Sequence, residues 1–202
     1  MMKARILTLI IAAVMAGFAY AAPPLATAPS APSAAGMWAQ VYPDGSVGGW
    51  FLIFENNGVY EGAIAKMFMK PGEDPNPICT HCTGDQKNQP SLGLVIIKGM
   101  QRNGLVYENG NILDPRDGKV YQAKMTLSPD GQQLIVRGYL GIELLGQNQT
   151  WKRLPNDVLP QDQLPPNLLP YWLALPKTSD TMITKGGGPR QTGSIKSWQL
   201  RH

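Results

Sequence analysis

Between Gly36 and Arg153 the chain alternates short apolar runs with turn signals, a pattern that predicts strands rather than helices. The runs are Trp38 to Tyr42, Trp50 to Phe54, Val59 to Phe68, Leu94 to Lys98, Leu105 to Glu108 with Ile112-Leu113, Lys119 to Ser128, Leu134 to Tyr139, and Gln147 to Arg153. The clearest alternation lies in Lys119 to Ser128. Tyr121, Ala123, Met125 and Leu127 share one face, and Gln122, Lys124, Thr126 and Ser128 share the other. Asn56-Asn57-Gly58 is a hairpin signal, because Asn and Gly accept the positive φ that tight turns need. Asn103-Gly104, Asn109-Gly110 and Pro129-Asp130-Gly131 read as further turns.

About eight short strands joined by hairpins, with no amphipathic helix, predict an all-β, antiparallel closed β-barrel. Closure removes the exposed edges of such a sheet, and a two-sheet sandwich is the competing arrangement. In a closed barrel the first and last strands are neighbours. Trp38 is then expected to plug one end beneath Arg153, as a cation over an aromatic face.

The flanks differ in composition. Lys3 and Arg5 precede an uncharged run from Ile6 to Phe18, and Ala19-Tyr20-Ala21 offers small residues for cleavage. A membrane-spanning helix needs about 20 apolar residues, so residues 1–21 are expected to be a signal peptide and the protein to be exported, to a periplasm or the extracellular space. Residues 22–35, nearly all Ala, Pro and Ser, read as a flexible linker. Residues 154–202 form a tail whose first part, Leu154 to Pro176, holds six prolines among leucines and aromatics. Proline excludes a long helix or central strand there, and the segment is too apolar for a solvated linker. It is expected to run extended over the barrel surface or one opening, or to dock an envelope protein partner through residues 154–176.

Charge narrows the functions. The chain carries a net charge of +4, but residues 36–153 contain 11 basic and 11 acidic side chains, so nucleic acid is not an expected partner. No cofactor is indicated, and no oligomeric state follows. Cys79-Thr80-His81-Cys82 has the spacing of a redox motif without the helix that lowers a thiol pKa. As a zinc site it lacks a fourth ligand, which Asp74 or Asp85 would have to supply. In an exported chain, a structural disulfide between Cys79 and Cys82 is the third and leading reading. Glu55 and Glu61 flank the first hairpin and read as solvated charges rather than a glycosidase pair. Gly186-Gly187-Gly188 lacks the lysine and helix of a phosphate loop.

Gly36-Met37-Trp38, the run from Gly110 to Tyr121 (GNILDPRDGKVY), Arg137-Gly138-Tyr139-Leu140-Gly141 and the run from Gly146 to Arg153 (GQNQTWKR) occur in order. Together they resemble the DUF2147 family of small exported bacterial proteins, over residues 36–153. The stretch from Cys79 to Leu94 is also similar to a two-cysteine loop of one branch of that family. The resemblance implies a lipocalin-like barrel, and with it binding of a small lipophilic or amphipathic ligand rather than catalysis. Candidate ligand-binding residues are Trp38, Tyr121, Met125, Arg137 and Trp151. Trp38, Arg153, Asp114, Pro115 and Gly118 are expected to be structural. Met67 and Met100 are expected either to line a pocket or to fill it.

Overall fold

The computed structural model describes residues 31–177. Eight strands follow one another: β1 (Gly36–Val41), β2 (Val47–Asn56), β3 (Val59–Met67), β4 (Val95–Asn103), β5 (Val106–Leu113), β6 (Val120–Leu127), β7 (Gln133–Tyr139) and β8 (Gln147–Arg153). Each pairs antiparallel with the next, and β8 pairs with β1 to close the barrel. The sandwich alternative is thereby excluded.

The Asn-Gly pairs divide into two kinds. Asn57 (φ 51°) and Gly58 (φ 83°) make the tight β2–β3 turn, and Gly104 (φ 63°) turns β4 into β5. Asn109-Gly110 does not end a strand, contrary to the expectation. It lies inside β5, where the register to β6 slips between Tyr107 and Gly110 and Asn109 takes φ 64°. The pair forms a bulge, which uses the same left-handed backbone as a turn. Gly110 has no room for a side chain, since a Cβ would lie 2.2 Å from Met100 Sδ and 2.5 Å from the Lys98 carbonyl oxygen.

Two apolar cores form, one on each side of the sheet. Inside the barrel lie Trp38, Phe51, Ile53, Tyr107, Met125 and Leu134, among others. On the outer face of the first strands lie Met37, Leu52, Phe54, Ala63 and Ala65. The run Trp50 to Phe54 is apolar at every position because β2 is buried on both faces. The cover over its outer face is the proline-rich segment, which supplies Leu159, Leu164, Leu168, Trp172 and Leu175. Tyr171 stacks on Phe54 with ring centroids 3.9 Å apart.

This segment is not simply extended. It folds as single turns of 3-10 helix at Gln161–Gln163 and Pro166–Leu168, then as α1 (Leu169–Leu173). Polar bonds anchor it to the barrel. Asn156 Oδ1 accepts from the Met37 N–H (3.1 Å), and the Trp172 indole donates to the Asn156 carbonyl (2.6 Å). The Asn167 amide reaches the Gly93 carbonyl (2.9 Å). The leucines expected to reach a partner are therefore buried against the chain's own barrel.

One end of the barrel is shut by the Trp38 plug. Trp38 is fully buried, its register partner on β8 is Arg153, and the guanidinium carbon sits 4.2 Å from the indole ring. Arg153 donates to the carbonyls of Gly131 (2.5 Å), Ala35 (3.1 Å) and Ser33 (2.5 Å). Burial pushes its pKa down from the usual guanidinium range, yet arginine stays charged in proteins. The expected linker thus does not stay free over its last residues. Ala34 is fully buried, its N–H donates to the Tyr107 hydroxyl (2.8 Å), and its carbonyl accepts from the Trp38 indole (2.8 Å). Composition points to flexibility, but alanine is small enough to seat against the plug. The expected signal peptide and Gly186-Gly187-Gly188 lie outside the described residues.

Candidate functional site: a cavity at the open end

The alternation that points Trp38 inward carries Gln40 inward as well, two residues nearer the opposite end of the barrel. On β8 the same step leads from Trp151 to Gln149. This end is built from the β1–β2, β3–β4, β5–β6 and β7–β8 connections, and it holds a cavity of about 420 Å³. Phe51, Ile64, Ile96, Val136 and Trp151 form apolar walls, while Gln40, Tyr42, Tyr121, Gln147 and Gln149 also line it. Phe51 and Trp151 stack at 4.2 Å with 17° between their planes. Toward the plug the interior is packed, with Met100 and Met125 fully buried.

The polar groups are ordered by one fixed donor. Trp151 Nε1 can only donate, so Gln149 presents its oxygen to it (3.2 Å). The same oxygen accepts from Gln40 Nε2 at 2.9 Å.

Asp114 and Arg116, the charged side chains lining the cavity among the described residues, are paired with each other. Arg116 Nε and Nη2 donate to the two carboxylate oxygens at 2.9 and 2.6 Å. The guanidinium holds the Asp114 carboxyl below its ordinary value and is itself raised in return.

Asp114 also organises the turn that follows β5. Its backbone exchanges bonds with Lys119 and Gly118, both at 2.8 Å, and its Oδ1 accepts from the Arg116 N–H at 3.0 Å. Against this turn rests the β3–β4 connection, clipped by a disulfide between Cys79 and Cys82. The disulfide rules out the free-thiol and zinc readings for this state of the protein. Both cysteines are buried, and Cys79 Sγ lies 3.2 Å from the Pro115 carbonyl oxygen.

Gly118 is where the two loops meet. Its φ is +72°, and a Cβ would stand 2.1 Å from the His81 carbonyl oxygen. Gly141 has a similar φ of +74° with nothing within 4 Å. Gly118→Ala is therefore expected to cost about 2–4 kcal/mol, from backbone strain plus displacement of the disulfide loop. Gly141→Ala should cost about 1–2 kcal/mol from backbone strain alone. Denaturant titration of the two variants side by side checks the difference.

The proposed ligand-binding residues separate into three places. Tyr121 and Trp151 line the cavity, as does Met67. Trp38 and Met125 lie in the packed interior and fill it, as Met100 does. Arg137 is on the outer face, which corrects the expectation that it reaches a ligand inside. On β7 the period of two sends Leu134 and Val136 inward and Ile135 and Arg137 outward. There Arg137 donates to the carbonyls of Glu143 (2.9 and 2.8 Å) and Leu144 (3.1 Å) and to Asn148 Oδ1 (2.6 Å). It braces the β7–β8 loop on one side of an open surface depression of about 490 Å³. Most of the lining, including Gln40, Phe51, Ile64, Arg116 and Gln149, lies outside the candidates that the sequence offers, although the step of two from each tryptophan points to both glutamines.

Among solved structures, the chain is similar to protein HP1028 of Helicobacter pylori, described as belonging to the lipocalin family. The TM-score is 0.56 at 18% identity, covering 70% of this chain and 97% of that one. At that identity the likeness is one of fold. No curated protein matches the chain. Residues 36–153, the whole of the barrel, match the family described as uncharacterised protein conserved in bacteria (DUF2147), and the chain belongs to that family.

Proposed function

We propose that this protein, exported by virtue of its first 21 residues, binds a small lipophilic or amphipathic molecule in the open-end cavity without transforming it. The cavity itself carries the reading. A barrel of eight strands can be filled completely by its own side chains, yet this one keeps about 420 Å³ open beside apolar walls. That volume lies within the usual range for small-molecule sites. The connections around the opening also leave Leu140, Ile142, Leu144 and Leu145 exposed, at 59 to 83% of their surface. An apolar approach to an apolar cavity suits a sparingly soluble ligand.

The alternative is a structural module whose Leu154 to Pro176 segment docks an envelope partner. Burial of Leu159, Leu164, Leu168 and Trp172 against β1–β3 weighs against it.

Native mass spectrometry and solvent extraction of the purified protein test the binding reading, together with titration of an environment-sensitive apolar dye. A retained small molecule or saturable dye binding is expected. Met67→Trp, a half-buried wall position, should weaken dye binding about tenfold by filling the cavity, with little change in melting temperature. Absence of both a retained molecule and dye binding would overturn the proposal.

A further inference from the structure

We propose that the ligand is an uncharged amphiphile whose head group both donates and accepts hydrogen bonds, such as a fatty alcohol, a fatty amide or a monoacylglycerol. The inference rests on the binding reading above and adds the chemistry of the head group. Two observations carry it, one about charge and one about hydrogen bonds.

An anionic head, such as a fatty-acid carboxylate, needs a cation at the cavity to offset the water it gives up. Among the described residues the one cation in the lining is Arg116, a solvent-exposed side chain that directs its Nε and Nη2 to the two oxygens of Asp114, so the charged part of the lining is neutral as a pair. The pair presents a dipole, not a net charge. A cationic head meets the same obstacle with the sign reversed, because the Asp114 carboxylate is already engaged. Charge of either sign is thus poorly matched here.

The remaining hydrogen-bonding side chains of the lining are neutral amides and hydroxyls. Trp151 fixes the Gln149 oxygen toward itself, and Gln40 turns its amide nitrogen to the same oxygen. Both amides are solvent-accessible at the open end, so the remaining Gln149 Nε2 donor and Gln40 Oε1 acceptor are within reach of a ligand head group. The lining therefore offers neutral groups of both kinds, from the Gln40, Gln147 and Gln149 amides and the Tyr42 and Tyr121 hydroxyls. A hydroxyl, a primary amide or a glyceryl head satisfies both, whereas a carboxylate can only accept.

The test compares glycerol monolaurate with laurate, which share an acyl chain, against the full chain by calorimetry at pH 8, below micellar concentration. The monolaurate is expected to bind about threefold to tenfold more tightly, because the lining offers a carboxylate no unpaired cation. Equal or tighter binding of laurate overturns the inference while leaving the binding reading standing. Failure of both probes to bind counts against the binding reading itself. Asp114→Asn frees Arg116 and should raise laurate affinity about fivefold. Arg116→Gln leaves Asp114 bare and should lower it by a similar factor. Either variant suffices if the other does not fold, and no change in a folded variant would show that the ion pair does not set head-group preference.

Discussion

Trp38→Ala is expected to lower the melting temperature by about 10–20 °C, corresponding to a loss of about 3–5 kcal/mol for truncating a fully buried tryptophan. Trp38 is among the largest side chains of the interior and has no exposed surface. Its loss opens a void at the closed end and leaves the Ala34 carbonyl without its indole donor. It also strips Arg153 of the ring beneath it, an interaction worth about 0.5–2 kcal/mol when partly desolvated. Arg153→Lys provides the companion measurement. Lysine keeps the charge but cannot reach three carbonyls with one planar fork, so a smaller but distinct drop is expected. An unchanged melting temperature in Trp38→Ala, followed by calorimetry or near-ultraviolet circular dichroism, would mean that the plug does not hold the barrel closed.

Ending the chain after Arg153 is expected to have a still larger effect. The truncated protein should be insoluble, or soluble only as a loosely packed state that binds apolar dyes and has lost its near-ultraviolet signal. The barrel keeps all eight strands in this truncation, so strand content is not the issue. What it loses is the cover over Met37, Leu52, Phe54, Ala63 and Ala65. Leu159, Leu164, Leu168, Trp172 and Leu175 each bury apolar surface worth about 1.5–3 kcal/mol. Together these approach the whole net stability of an ordinary domain, about 5–15 kcal/mol. Leu168→Ala and Trp172→Ala in the full-length chain should each cost about 2–5 kcal/mol. A truncated barrel with an unchanged melting temperature would contradict the two-sided core.

The barrel was legible because its strands are short, alternate in polarity and are separated by residues with specific backbone preferences. The Trp38–Arg153 contact was legible for a topological reason, since closure makes neighbours of the first and last strands. Chemistry read without periodicity did less well. Arginine chemistry suits a ligand and draws Arg137 toward the interior, although Val136 beside it already claims the inward direction. Asn109-Gly110 reads as a turn in sequence because a turn and a bulge ask the same left-handed backbone of the chain. The unbroken apolar run of β2 did contain the need for an outer cover. Which residues supply that cover depends on how the prolines bend the tail, a long-range matter that local pattern does not hold. The cavity is the least legible feature. It is a volume left over after packing, and the same residue types fill the closed half of the barrel and line the open half.

On the binding proposal, a ligand occupies the open half of the barrel and not the packed half. Methyl-resolved NMR of the full chain during titration with glycerol monolaurate distinguishes the two halves. Saturable shifts are expected at Ile64, Ile96 and Val136, which line the cavity, with Leu127 and Leu134 at the packed end unmoved. Shifts confined to the exposed leucines of the Leu140 to Leu145 loop, or no saturable shift at the cavity methyls, would contradict the proposal.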